Sequence, residues 1–231
     1  MVLKLEPLCA FPPTSMLNRF LMHVRLELFL ASLMLLLSFN VFSKESDVNF
    51  ITVSAEKKLE NGMRVLAAVG NIYEEFSGNI IYLGVGKELE SGSILRLGYF
   101  GYSPELPDGG HGEDHRIRGS FTYRAKHEGW RFMHRSRLEY RKGDVPNGFR
   151  YRPTFQVAHL LSIGETKIFP YAEVEPFYDF RQNSVTLTLF TAGVIWPVTK
   201  HAILKIGHFN IFQNGPTKHT KGPLVWLHVP F

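Results

Sequence analysis

The chain is 231 residues long, 45% hydrophobic and 20% charged, with a formal net charge of +5. That basic surplus invites a nucleic-acid partner, but no basic helix, zinc-finger spacing or charged tail accompanies it, so nucleic-acid binding is set aside. The only cysteine, Cys9, lies near the amino terminus, which excludes a disulfide framework and thiol chemistry from the rest of the chain.

The first element is a leader. The run 28–42, LFLASLMLLLSFNVF, is uncharged and apolar, and Arg19, His23 and Arg25 precede it. Val41 and Ser43 are small enough for the −3 and −1 positions of a cleavage site before Lys44. Residues 1–43 are therefore expected to be a cleaved signal peptide, of more usual length if translation starts at Met16. The apolar run is shorter than the ~20 residues a membrane-spanning helix needs. Glu27, at its edge, is an imperfection.

Residues 44–231 form the single remaining domain. Short segments of alternating polarity follow one another, separated by Gly, Asn, Pro and Asp clusters. Strands are expected over 48–58, 62–73, 77–88, 92–102, 113–125, 129–141, 148–160, 167–179, 184–197, 201–213 and 222–231. Most have the length a tilted strand needs to cross a bilayer. The fold class is all-β, an antiparallel transmembrane β-barrel. Eleven segments are legible, yet such barrels have even strand numbers, so the expectation is 10 strands, with 12 as the alternative. The connections alternate in length: 103–112, 142–147, 180–183 and 214–221 are read as external loops, and 126–128 and 198–200 as periplasmic turns. Trp130, Trp196, Trp226, Tyr99, Tyr102, Tyr140, Tyr171 and Tyr178 lie at or near strand ends, where rings form interfacial girdles.

The central hairpins carry the strongest pattern. In 130–141, WRFMHRSRLEYR, Arg131, Arg135, Arg137, Glu139 and Arg141 share one face, while Trp130, Phe132, Leu138 and Tyr140 share the other. The preceding strand sets Arg116, Arg118 and Arg124 against Ile117, Phe121 and Tyr123. The following ones set Arg150 and Arg152 against Phe149 and Tyr151, and then offer Glu173 and Glu175. Unpaired arginine on a lipid face costs ~2–4 kcal/mol at mid-depth. These twelve charged residues are therefore expected to line the lumen as a ladder of ion pairs.

The start Glu113-Asp114-His115-Arg116, the block His134 to Arg141, the Arg150-Tyr151-Arg152 strand and Pro170-Tyr171 with Glu173 and Glu175 follow in order. This succession resembles a bacterial family known only as domain of unknown function 2490 and taken to be outer-membrane barrels. Val174 stands where that family usually has Asn. The resemblance implies a fold and a place, the outer membrane of a Gram-negative cell, but no established activity.

Three functional readings follow. A narrow barrel filled by paired charges is structural, and the surplus of arginine makes any passage through it anion-preferring. His134 and Ser136 share a face, as in outer-membrane lipid A deacylases, although Arg137 stands where those enzymes have Asn. Asp108, His111, Glu113, Asp114 and His115 crowd one loop, and omptin proteases also use Asp and His at a barrel mouth, but the spacing matches no metal template. No catalytic residue, metal or cofactor is assigned. The expected partners are outer-membrane lipid, lipopolysaccharide and, during biogenesis, the barrel assembly machinery. Phe231 ends the last strand, with Val225, Leu227 and Val229 on its face, and a terminal aromatic resembles the signal that machinery reads. Pro230 removes one donor from that strand.

Overall fold

The computed structural model describes residues 48–74, 77–106, 108–213 and 219–231. The expected leader 1–43 and most of the connection 214–221 lie outside the described residues. Thirteen segments join in one sheet: β1 (Val48–Lys58), β2 (Met63–Glu74), β3 (Gly78–Glu88), β4 (Ile94–Pro104), β5 (Asp114–His127), β6 (Trp130–Gly143), β7 (Gly148–Tyr151), β8 (Thr154–His159), β9 (Leu161–Ile163), β10 (Thr166–Asp179), β11 (Ser184–Thr199), β12 (Ala202–Gln213) and β13 (His219–Pro230). β7, β8 and β9 are pieces of one wall strand, so eleven strands enclose the barrel.

Neighbours along the chain pair antiparallel throughout, and the barrel closes on one parallel pair. β1 runs beside β13, with Phe50 opposite Leu224 and Glu56 opposite Pro230. The expectation of 10 or 12 strands is therefore overturned, and 48–58 is a full wall strand. Evenness follows only when first and last strands run in opposite directions; a parallel closing pair lifts that constraint. It also puts Val48 and Phe231 at opposite ends of the barrel. Phe231 completes the seam, its N–H donating to the Glu56 carbonyl at 2.9 Å and its own carbonyl accepting from Lys58 N at 3.3 Å.

The connections at the Phe231 end are mostly tight. Glu128 and Gly129 both take positive φ, 46° and 83°, as a two-residue hairpin turn requires. The connections at the Val48 end include the long stretch 105–113.

Alternation fixes which side faces in. On β3, Ile80 is 8% exposed and its neighbour Ile81 is 44% exposed. Val65, Val69, Leu83, Val85, Leu97, Ile117, Leu138, Phe155, Phe190 and Ile206 are likewise exposed, all on the outward side. Thr52, Ser54, Asp114, Glu139, Thr154, Glu175 and Thr191 are buried on the inward side. The barrel is thus apolar outside and polar inside. The same phase corrects part of the aromatic expectation. Tyr140 and Trp196 face outward, but Tyr102, Tyr171 and Trp226 fall on the inward phase of their strands. Trp226 donates its indole N–H to Ser54 Oγ at 2.8 Å, and Tyr171 is fully buried.

Large inward rings need glycine opposite them. Tyr82 lies so close over Gly84 and Gly98 that a Cβ on either would sit 2.6 or 2.5 Å from its hydroxyl. At the seam the constraint is backbone to backbone: a Cβ on Gly222 would lie 1.5 Å from the Val48 carbonyl oxygen. Gly222→Ala is expected to destabilise the barrel by about 1–3 kcal/mol through this overpacking. Gly119→Ala, where a Cβ meets nothing within 4 Å, should be nearly neutral. Denaturant unfolding of the two variants in detergent micelles checks the contrast.

Candidate functional site

The inward charges concentrate on β5, β6, β7, β8 and β10. Arg152, in the short break between β7 and β8, donates from Nη1 to Glu139 Oε1 and from Nε to Glu175 Oε1, each at 2.8 Å. Glu139 is 0% exposed and Glu175 is 3% exposed. Arg118 Nε lies 2.7 Å from Glu139 Oε1, and its guanidinium stacks 3.5 Å above the Phe100 ring. Arg137 lies 3.5 Å from Glu175 and 3.9 Å from Glu139. Arg135 donates to Thr154 Oγ1 at 3.1 Å and sits 3.7 Å from Glu175. One step toward the Val48 end, Asp114 takes a two-pronged contact from Arg116, at 3.0 and 2.5 Å, and a third bond from Arg141 at 2.8 Å.

The local backbone explains why Arg152 holds the centre. Toward β6 the ladder continues through it, with Arg152 N donating to the Arg137 carbonyl at 2.8 Å and Arg137 N to that of Arg152 at 3.2 Å. Toward β10 the ladder is broken. Tyr151 pairs with Tyr178 and Phe155 with Val174, and the same register carried across the gap sets Pro153 opposite Pro176. Neither proline has an N–H to give. The Arg152–Glu175 pair bridges this gap from the inside.

The other ladder candidates behave differently. Glu173 pairs with Lys205 at 3.1 Å and accepts from Gln156 at 2.6 Å, so its counter-charge is a lysine two strands away and not a neighbouring arginine. Arg124 and Arg131 are exposed and make no ion pair among the described residues; Arg131 stacks 3.7 Å over Phe169. The ladder therefore does not run the full barrel height. Arg150 is 8% exposed, makes no ion pair among the described residues, and its buried Nε has no hydrogen-bond partner there.

A second network went unnoticed in the sequence. Glu56 binds Arg64 at 2.5 Å and also Arg96, and Glu88 binds Arg64 at 2.8 Å and Lys58 at 2.7 Å. The signal was present: Glu56 shares the period-two phase of Thr52 and Ser54, which are buried.

His134 and Ser136 face outward. His134 Nε2 lies 3.0 Å from Ser136 Oγ, which in turn meets the Tyr151 hydroxyl at 3.1 Å. The other imidazole nitrogen, Nδ1, is buried without a hydrogen-bond partner, so among the described residues no carboxylate orients the ring. In the 108–115 loop only His115 and Glu113 meet, at 3.1 Å, among the described residues; the other side chains do not converge on them. Asp114 turns inward to its arginines, His115 stacks on Tyr99, and Asp108 accepts from Gly110 N. Among the described residues no group of three His, Cys, Asp or Glu is placed to hold a metal.

Removing one carboxylate from the central network leaves buried guanidinium groups uncompensated. Glu139→Gln is expected to cost about 3–5 kcal/mol. Glu173→Gln, which releases a single lysine on a less buried site, should cost clearly less. Paired unfolding curves of the two variants test the ranking.

A comparison with curated proteins finds no match. A family model described as "Protein of unknown function (DUF2490)" matches residues 44–221, covering all but the last of the eleven wall strands in full and the start of that one. An all-β barrel closed around a charged interior, read together with that match over most of its length, makes this chain a member of the DUF2490 family.

Proposed function

We propose that residues 44–231 are an integral outer-membrane β-barrel of a Gram-negative cell, exported by the 1–43 leader. Its charge-filled interior makes it structural or, at most, a narrow anion-preferring conduit. The observation that carries this reading is the outward apolar belt around an inward charge network. On β3 the outward Ile81, Leu83 and Val85 are bounded by Asn79 and Lys87, and on β1 Ile51 and Val53 are bounded by Asn49 and Lys57. At ~3.3 Å per residue and a tilt near 40°, the polar residues that bound the β3 belt are about 20 Å apart, within the ~25 Å apolar band of such barrels. In water, so much exposed apolar surface would aggregate.

Tight turns beside Phe231 and longer loops beside Val48 support a periplasmic carboxy terminus. The wall would then contact lipid and lipopolysaccharide, and Phe231 would be the residue read by the assembly machinery. The His134–Ser136 contact keeps a lipid A-modifying enzyme as the second reading; a lipid A mass spectrum unchanged by the protein removes it.

Because Cys9 is the only cysteine, single-cysteine labelling tests the placement directly. Gln182→Cys and Lys200→Cys sit in the connections at opposite ends of β11. In intact cells a membrane-impermeant maleimide should label the first, and the second only after the outer membrane is opened. Equal labelling of both, or a protein recovered soluble from the periplasm, contradicts the reading. In a planar bilayer the refolded barrel should show little or no conductance, and its reversal potential in a salt gradient should favour anions; a wide or cation-selective pore overturns the conduit.

A further inference from the structure

The central network is not charge-neutral. Among the described residues, seven guanidinium groups, of Arg116, Arg118, Arg135, Arg137, Arg141, Arg150 and Arg152, share the middle and the Val48 end of the lumen with four carboxylates, those of Asp114, Glu139, Glu175 and Asp179. Asp114 is held by Arg116 and Arg141, Glu139 Oε1 and Glu175 by the arginines around Arg152, and Asp179 Oδ1 accepts from Arg181 N at 2.9 Å. Glu139 Oε2 has no hydrogen-bond partner among the described residues, with Arg116 Nη1 3.8 Å away, so the carboxylate charge nearest Arg150 is shared and not its own.

Arg150 is the group left over. It stands opposite Glu139 on β6 and Asp179 on β10, yet contacts neither within ion-pair distance. The Phe177 ring lies 5.4 Å from its guanidinium carbon. Arg116 lies opposite Arg141, and Arg141 is opposite Gly148, two residues from Arg150, so the three form one inward row across β5, β6 and β7. A buried guanidinium without a counter-ion is costly. The natural complement to such a row is a multiply charged oxyanion, whose oxygens match the guanidinium fork.

We propose that this row binds an oxyanion of the phosphate class, with Arg150 as its principal ligand and Arg116 and Arg141 completing the cradle on the far side of Asp114. Arg181 approaches from the adjoining connection, its side chain packed against Gly148 and reaching the Asn147 carbonyl at 3.4 Å, and adds positive charge at the entrance. The proposal rests on the charged lumen described above and gives its anion preference a place. The phosphate could be free or part of a lipid headgroup, since both present the same oxygens.

The test uses residues 44–231 refolded in a non-ionic detergent, with unfolding temperature followed as sodium phosphate replaces sodium chloride at constant ionic strength. Phosphate should raise the unfolding temperature in a saturable way, as a ligand of the folded state does. Arg150→Gln should weaken the apparent affinity at least tenfold while leaving the phosphate-free unfolding temperature unchanged or higher, because it removes an uncompensated charge. Arg150→Lys, which keeps the charge without the fork, should fall between. Arg64→Gln, in the network at the other end, should keep the full response.

Dihexanoyl phosphatidic acid separates the sources. A larger shift than with inorganic phosphate assigns a lipid phosphate, and a smaller one a free anion. No phosphate-specific shift, an undiminished shift in Arg150→Gln, or an Arg150→Gln barrel that is destabilised without phosphate overturns the proposal. Because all arms run in detergent, such a failure leaves the membrane placement to its own labelling test.

Discussion

Arg152 holds together a wall that its own sequence interrupts. The strand made of β7 and β8 meets β10 across Pro153 and Pro176, where the backbone offers no donor on either side. Under the membrane placement proposed above, an unpaired stretch of ladder would face a medium that cannot satisfy it. The guanidinium of Arg152 reaches across from the inside, with one arm on Glu139 of β6 and the other on Glu175 of β10. Three consecutive wall strands are thus tied by side chains at the level where the main chain fails to tie two of them. The arginines on β5 and β6 then gather around the same two carboxylates.

That arrangement inverts the usual division of labour in a folded domain. The described apolar core is small, made of Ala158, Phe169 and Tyr171 with Leu160 and Ile195 against it. The interior is instead filled by long charged side chains stacked on rings, such as Arg118 on Phe100 and Arg152 on Phe177. Buried ion pairs gain little net stability over apolar packing, but they are intolerant of losing a partner. The surplus of guanidinium over carboxylate among the described residues then gives the interior a sign.

Much of this was legible in the sequence, for reasons that can be named. Hairpin rhythm survives because turn residues punctuate every strand, and the arginine-rich faces of 113–141 alternate too regularly to be read as anything but one side of a sheet. The parity of the barrel was not legible. It depends on β1 meeting β13 in parallel, a pairing between the two ends of the domain that no local pattern records. The opposition of Pro153 and Pro176 was hidden in the same way, since it appears only once the register between their strands is known. The Glu56, Arg64 and Arg96 network joins three strands through one charge each, with Arg64 and Arg96 set singly among apolar residues, so no one segment displays it. Glu173 finds Lys205 on β12, across the intervening β11, a contact made through the lumen and not along the sheet.

The central role of Arg152 requires that Arg152 and Glu175 act as one unit across the proline gap. A double-mutant cycle with Arg152→Gln, Glu175→Gln and the pair of substitutions measures this in refolded protein. The account predicts a coupling of about 1–3 kcal/mol, with the double variant markedly less destabilised than the sum of the single ones. Effects that add to within about 0.5 kcal/mol would show that the gap needs no bridge, and would contradict the central role given to Arg152.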